Sequence, residues 1–152
     1  MDRSTTNLRE ISLSKMSDEE PPHAMNETFQ GLQIAENAWQ IRNVPAVISG
    51  ISFGDIFEPR QDRPGWKLIN RSRYSTIILG PKQHMNTFAG NQMIDESLEA
   101  AKNVPNVIFE RHESMRCFAV LPENMTEFVS ILEEGGSRFW DWAITSSRTP
   151  TE

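Results

Sequence analysis

The most regular hydrophobic pattern in the chain lies near its C-terminal end. Asn124 is followed three residues later by Glu127, an arrangement that resembles a capping box. Apolar side chains then recur at helical spacing at Met125, Phe128, Val129 and Leu132. The pattern predicts a helix that ends at the glycine pair 135–136.

Two other segments also have apolar residues at helical spacing. Residues 91–103 carry one apolar stripe, with Asn91 as a candidate N-cap and Pro105 as the stop signal. Residues 29–43 place several apolar side chains near one face, although residues 39–41 also alternate as a strand would. We predict a helix over each of these two segments.

Short apolar and β-branched runs predict five strands, over residues 47–53, 66–70, 74–79, 107–111 and 115–121. Residues 54–65 hold two prolines and five charged residues, which predicts a surface loop. The tripeptide Arg71-Ser72-Arg73 predicts a hairpin turn between the second and third strands, and residues 112–114 predict another. The order of elements predicts an α+β fold with an antiparallel sheet of about four or five strands, covered mainly on one face by helices.

The two ends of the chain have few large apolar residues. Residues 1–27 hold six acids and three bases, a net charge of −3, and predict a disordered acidic arm. Residues 146–152 predict a second disordered tail, and residues 28–145 a single α+β domain. Ser17 lies before an acidic run and Thr149 before a proline, so both resemble phosphorylation sites.

Composition places the chain among intracellular globular proteins. Of 152 residues, 38% are hydrophobic and 24% are charged, close to the globular average. Apolar runs of at most about six residues predict no membrane span, and the charged N-terminal segment predicts no secretory signal. A single cysteine also suits a reducing compartment, so we expect a cytoplasmic or nuclear location.

Candidate chemical groups are few. Residues 50–54 match the pattern G-x-S-x-G and make Ser52 a candidate nucleophile, but the prolines that follow oppose the helix that this motif requires. Cys117 alternates with apolar neighbours, which favours a buried thiol over a reactive one. His84 and His112 are far apart in sequence and predict no metal site. We therefore predict no catalytic residue, metal or cofactor, and we do not expect an enzyme.

Charge is distributed unevenly along the chain. Residues 60–82 hold one acid and six bases, a charge of +5 inside a protein of net charge −6. The bases are Arg60, Arg63, Lys67, Arg71, Arg73 and Lys82, and the aromatic residues Trp66 and Tyr74 lie between them. Arginine donates paired hydrogen bonds to phosphates and carboxylates, so this segment predicts an anion-binding loop and hairpin. The alternative is that these cations only keep an edge strand soluble while the aromatics serve the core.

Three aromatic residues near the C-terminus raise a similar choice. Phe139, Trp140 and Trp142 predict a helical turn that sends Trp140 to a different side from the other two. Exposed aromatic residues are frequent at interface hot spots, so this end could dock on a partner. The alternative is that the segment wraps around its own sheet.

The leading functional prediction is a non-catalytic interaction module, an adaptor or a subunit of a complex, that binds an acidic or phosphorylated protein partner. Its contact residues would be the six bases above, Tyr74 and the three C-terminal aromatic residues. Two alternatives remain open from the sequence: a protein that binds RNA or single-stranded nucleic acid, and a small enzyme or ligand-binding fold with a dispersed pocket. The sequence leaves the oligomeric state undetermined.

Overall fold

The protein folds around two antiparallel sheets, as seen in a computed structural model that describes residues 7–136 and 138–148. The first sheet has five strands that follow one another in chain order. These are β1 (Leu8–Met16), β2 (Ala24–Ala35), β3 (Ala38–Ile41), β4 (Ile56–Pro59) and β5 (Trp66–Asn70). The Cα atoms of β1 and β5 come within 8 Å of each other, which indicates that the sheet curls.

The second sheet has four strands in the spatial order β7, β8, β6, β9. The strands are β6 (Ser75–Pro81), β7 (Ile108–His112), β8 (Met115–Val120) and β9 (Trp140–Ser146). Three helices accompany them: α1 (Phe88–Ser97), α2 (Glu99–Lys102) and α3 (Met125–Gly136). The predicted α+β class is confirmed, although the strands divide between two sheets where the sequence predicted one.

Three clusters of buried apolar side chains follow from the alternation of side chains along the strands, one in the first sheet and one on each face of the second. In the first sheet, Ile11 pairs with Phe29, and both pack with Ile41 and Phe57 on the concave side. In the second sheet, one face packs against the helices. The fully buried members of that core include Ile77, Leu79, Ile94, Leu98, Phe118, Phe128 and Leu132.

The other face of the second sheet is covered by the long connection between β3 and β4. Val44 and Phe53 from this connection pack against Cys117 and Ala119 on β8. The connection has no regular structure, and the Glu27 carboxylate on β2 holds it by accepting the backbone N–H groups of residues 46–48 at 2.8–3.0 Å. The second sheet is therefore buried on both faces, by helices on one side and by this loop on the other.

Several predicted elements in the first half are wrong. The helix predicted over residues 29–43 is replaced by β2 and β3, because β1 pairs with residues 24–32 of β2 and β3 pairs with residues 31–35. The strand predicted over residues 47–53 is the irregular loop held by Glu27, and the loop predicted over 54–65 contains β4. Alternation and helical spacing overlap in such short segments, so long-range pairing decides between them.

The predicted disorder of the chain ends is also corrected. Residues 8–16 form β1, and Ser17, a candidate phosphorylation site, is buried and bonded to His23. At the other end, residues 146–148 are ordered, and Arg148 is buried. Residues 1–6 and 149–152, which include Thr149, lie outside the described residues.

The second half agrees better with the sequence. The β7–β8 hairpin and α3 are confirmed, and α1 with α2 covers most of the helix predicted over 91–103. The N-cap of α1 is Thr87, whose hydroxyl accepts the Gly90 N–H at 3.0 Å, and not Asn91. The capping box predicted at Asn124 does not form, since no group in residues 7–136 or 138–148 hydrogen-bonds its buried Oδ1. No helix in the described part of the chain is both long and apolar enough to cross a bilayer.

Candidate functional site

The tripeptide 71–73 is not a hairpin turn, which corrects the prediction from the sequence. It carries the chain from β5 in the first sheet to β6 in the second. Ser72 is anchored on both sides, because its N–H donates to Asp55 Oδ1 at 2.7 Å and its hydroxyl donates to the Phe53 carbonyl at 2.6 Å. The middle of this segment is therefore docked into the protein, with only the flanking arginine side chains exposed.

A buried polar cluster surrounds this anchor. Asp55 is fully buried, and its Oδ2 lies 2.7 Å from Nη2 of Arg148, whose side chain is 5% exposed. Arg148 also donates from Nε to the Ser72 carbonyl at 3.1 Å and from Nη1 to the Ser146 hydroxyl. The cluster thus joins the β3–β4 loop, the link between the sheets and the end of β9.

The candidate nucleophile Ser52 belongs to this cluster. Its hydroxyl is fully buried, donates to the Ser146 hydroxyl at 2.9 Å and accepts from the Thr76 hydroxyl at 2.9 Å. Its backbone N–H donates to Asp55. Within the described residues the Ser52 hydroxyl contacts only other hydroxyls, and β4 follows it where a nucleophile elbow requires a helix. The arrangement positions Ser52 as a structural hydrogen-bonding group.

The remaining candidate reactive groups are Cys117, His84 and His112. Burial raises the pKa of the Cys117 thiol to about 12, with further contributions from Glu27 and Glu110, so the thiol stays protonated at neutral pH. His84 is exposed, and His112 Nε2 lies 3.5 Å from Glu110 Oε1. Among the residues that the structure describes, no group of three His, Cys, Asp or Glu side chains is placed to hold a metal ion.

Two of the six predicted cations are already paired. Arg73 Nη2 lies 2.6 Å from Glu123 Oε1, and Lys82 Nζ lies 3.0 Å from Asp141 Oδ1. The pKa of the Glu123 carboxyl is lowered, mainly by a hydrogen bond from its own backbone N–H and to a smaller extent by the hydrogen bond and the charge of Arg73. Because Arg73 and Lys82 flank opposite ends of β6, roughly 30 Å of extended chain separates them. Arg73 and Lys82 therefore do not lie side by side.

The other four cations lie along one edge of the first sheet. Arg60 and Arg63 are in the turn between β4 and β5, Lys67 is on β5, and Arg71 follows β5 directly. All four are exposed, and over residues 7–136 and 138–148 no carboxylate oxygen lies within 4.0 Å of their charged nitrogens. We call these four residues the basic surface.

The aromatic residues predicted to accompany the cations face the interior. Trp66 is half-buried and meets Trp39 edge-on, with ring centroids 5.8 Å apart. Tyr74 packs edge-on against Phe53 at 5.4 Å. Each of these two rings is therefore engaged by another aromatic side chain of the same protein.

The C-terminal aromatic residues also pack inward. Trp140 and Trp142 lie on β9, not on a helical turn, and Trp140 is 1% exposed. Phe139 and Trp142 are half-buried against the helix-side core. The segment therefore wraps onto its own sheet, as the alternative interpretation of the sequence expected.

One cation beside the basic surface was not predicted from the sequence. Arg9, on β1, places its Cζ 5.0 Å from the centroid of Trp39 and 4.8 Å from that of Trp66. It lies in the segment predicted as disordered. The alternation of Arg9, Ile11 and Leu13 is the signal that could have placed these side chains on one face of a strand.

Comparison with known proteins supports the fold and adds no function. No protein-family model matches the chain, and no curated protein matches it in sequence. A solved structure of a hypothetical protein from Neisseria gonorrhoeae is similar in fold, with a TM-score of 0.64 and 12% sequence identity. The similarity covers 91% of this chain and 95% of that protein, so the arrangement of both sheets recurs there.

Proposed function

We propose that this protein is a non-catalytic binding module that recognises an acidic or phosphorylated segment of a protein partner through the basic surface. The observation that supports this most is the state of its four cations, which are exposed and have no described carboxylate within 4.0 Å. A cation that has no internal partner can pair with a ligand without breaking an existing ion pair. The chain as a whole is acidic, with a net charge of −6, so this local positive region stands out from its surroundings.

The position of the aromatic residues favours a protein partner over single-stranded nucleic acid. Proteins that bind single strands combine a positive groove with open aromatic faces on which bases stack. Here Trp66 and Tyr74 pack inward against Trp39 and Phe53. The overall negative charge also opposes nonspecific attraction to a phosphate backbone.

The surroundings of Ser52 and Cys117 favour binding over catalysis. Both groups are fully buried, and Ser52 is enclosed by hydroxyl partners. A nucleophile requires a nearby base and access to substrate. The described residues provide neither at these two positions.

The proposal is tested with two double variants that make the same chemical change. Arg60→Gln with Lys67→Gln removes two cations of the basic surface, and Arg73→Gln with Lys82→Gln removes two cations that are already paired. Binding to a fluorescein-labelled polyglutamate peptide and to a phosphoserine peptide is measured by fluorescence anisotropy. We expect the first variant to bind about tenfold more weakly, or about 1.4 kcal/mol, and the second to bind within about twofold of the unmodified protein.

Three results would contradict the proposal. Equal losses of peptide affinity in the two double variants would indicate that binding responds to the net charge alone. Absence of binding to either peptide would exclude an acidic partner segment of this kind. Tighter binding of a single-stranded oligonucleotide, lost in the first variant, would identify the nucleic-acid class instead.

A further inference from the structure

Arg9 contacts the residue that follows the turn between β4 and β5. Trp66, the first residue of β5, immediately follows the turn that carries Arg60 and Arg63. The guanidinium carbon of Arg9 lies 4.8 Å from the centroid of the Trp66 ring. Arg9, near the beginning of the described chain, therefore contacts the first residue after the turn that carries Arg60 and Arg63, more than 50 positions further along.

Two indole rings hold the Arg9 guanidinium in place. The rings of Trp39 and Trp66 meet at an interplanar angle of 77°, and both side chains pack against the core of the first sheet. The backbone of Arg9 is fixed as well, because it pairs with Gly31 on β2. A guanidinium stacked in this way has lost much of its rotamer freedom before any ligand arrives, which lowers the entropic cost of binding.

The hydrogen-bond donors of Arg9 are unused within the described part of the chain. A guanidinium has five N–H donors, and none from Arg9 reaches a described acceptor. Arg148 differs, because it donates to Asp55, to the Ser72 carbonyl and to Ser146. Arg116, also buried, donates to Asp95 and Asn91. The guanidinium of Arg9, which lies over two indole rings, thus keeps its donors free of any acceptor in the described part of the chain.

We propose that Arg9 is the anchoring residue of an oxyanion site, in which its fork binds a carboxylate or phosphate group of the partner segment. This inference rests on the proposed function, and it names the residue that recognises the anion. Arginine binds both groups with two parallel hydrogen bonds, whereas lysine binds as a point charge. Trp39 and Trp66 act as positioning residues that fix the plane of the fork.

The test separates the effect of the paired guanidinium donors, which we call the fork, from the effect of the positive charge. Arg9→Lys keeps the charge and loses the fork, and Arg9→Met keeps the length of the side chain and loses both. The matched controls are Arg42→Lys and Arg42→Met, since Arg42 also stacks on an aromatic ring, Phe53 at 4.9 Å, but already donates to Gln40 at 2.7 Å. We expect both Arg9 variants to bind the polyglutamate and phosphoserine peptides about tenfold more weakly, and both Arg42 variants to bind as the unmodified protein does.

A second measurement does not depend on peptide binding. Inorganic phosphate is titrated at constant ionic strength while the indole N–H resonances are followed by NMR. We expect the signals of Trp39 and Trp66 to shift saturably in the unmodified protein and in the Arg42 variants, and not in Arg9→Met. A native-like circular dichroism spectrum and a cooperative thermal transition show that each variant is folded.

The outcomes distinguish the two proposals. Peptide binding that depends on Arg60 and Lys67 but is unchanged in both Arg9 variants would overturn the anchoring role and leave the proposed function intact. A phosphate response at Trp39 and Trp66 without peptide binding would support the oxyanion site and overturn the proposed function. If Arg9→Met gained affinity for a trimethyllysine peptide and kept its affinity for acidic peptides, the two indoles would be a cation site that Arg9 occupies, and the inference would be wrong.

Discussion

Arg148 and Arg9 are the same side chain in opposite surroundings. The side chain of Arg148 is 5% exposed, and its guanidinium lies 2.7 Å from the buried Asp55 carboxylate. Arg9 is exposed, and its guanidinium rests on the faces of Trp39 and Trp66. The Arg148 guanidinium donates to Ser72, Ser146 and Asp55, whereas the described neighbours that hold the Arg9 guanidinium are the two indole rings.

The difference separates a structural cation from a recognition cation. A buried charge needs its partner, because removal of that partner leaves an uncompensated charge in a medium of low dielectric constant. A stacked, exposed guanidinium adds little to stability and keeps its donors for a ligand. We therefore expect substitutions around Arg148 to change folding, and substitutions of Arg9 to change binding.

The largest effect is expected for Arg148→Met, which leaves the Asp55 carboxylate buried without its cation. We expect the free energy of unfolding to fall by about 3–5 kcal/mol, measured by urea denaturation. The double variant Asp55→Asn with Arg148→Met should lose less than the single variant, because it removes both charges and keeps a side-chain oxygen that can accept the Ser72 N–H. If the free energy of unfolding of Arg148→Met fell by less than about 1 kcal/mol, Arg148 would not be the structural cation that the comparison with Arg9 requires.

An intermediate effect is expected at alkaline pH from Cys117, which lies on the face of the second sheet that packs against the β3–β4 loop. Burial raises the pKa of its thiol from an ordinary value of 9.0 to about 12 in the folded protein. Above pH 9 the unfolded chain loses this proton first, so stability present below pH 9 declines as the pH rises toward 12. At about pH 10.5 the titration of this thiol lowers the free energy of unfolding by roughly 2 kcal/mol.

The measurement compares urea denaturation of Cys117→Ala with that of the unmodified protein from neutral to alkaline pH. Cys117→Ala loses some packing and is less stable at neutral pH. The difference in the free energy of unfolding between the two proteins should shrink as the pH rises. Parallel pH profiles would show that the thiol does not titrate differently on unfolding. The native thiol should also resist a thiol-labelling reagent at neutral pH and react after unfolding.

The smallest effect on stability is expected for Arg9→Met. An exposed cation–π contact contributes about 0.5–1 kcal/mol, and the methionine stem preserves part of the packing on the rings. Arg42→Met, which also removes an exposed guanidinium from an aromatic face, is the control. If Arg9→Met lost more than about 2 kcal/mol, Arg9 would be a structural residue like Arg148.

The sequence predicted the local elements of the second half well. The β7–β8 hairpin needs only a short turn, and α3 carries its apolar stripe within twelve residues. Both are decided by contacts between near neighbours in the chain, which a pattern of apolar and polar positions records directly. The concentration of cations over residues 60–82 could likewise be read from the sequence.

Tertiary structure decided what the patterns left ambiguous. The pattern of residues 29–43 is compatible with a helix or with strands, and pairing with β1 decides for strands. Whether a cation is paired also depends on distant residues, since Arg73 meets Glu123 across 50 positions and Arg148 meets Asp55 across 93. The sequence by itself determined the fold class and the local excess of positive charge over residues 60–82, because both follow from local composition and spacing. The surroundings of each charge were decided by contacts between distant segments, which no local pattern encodes.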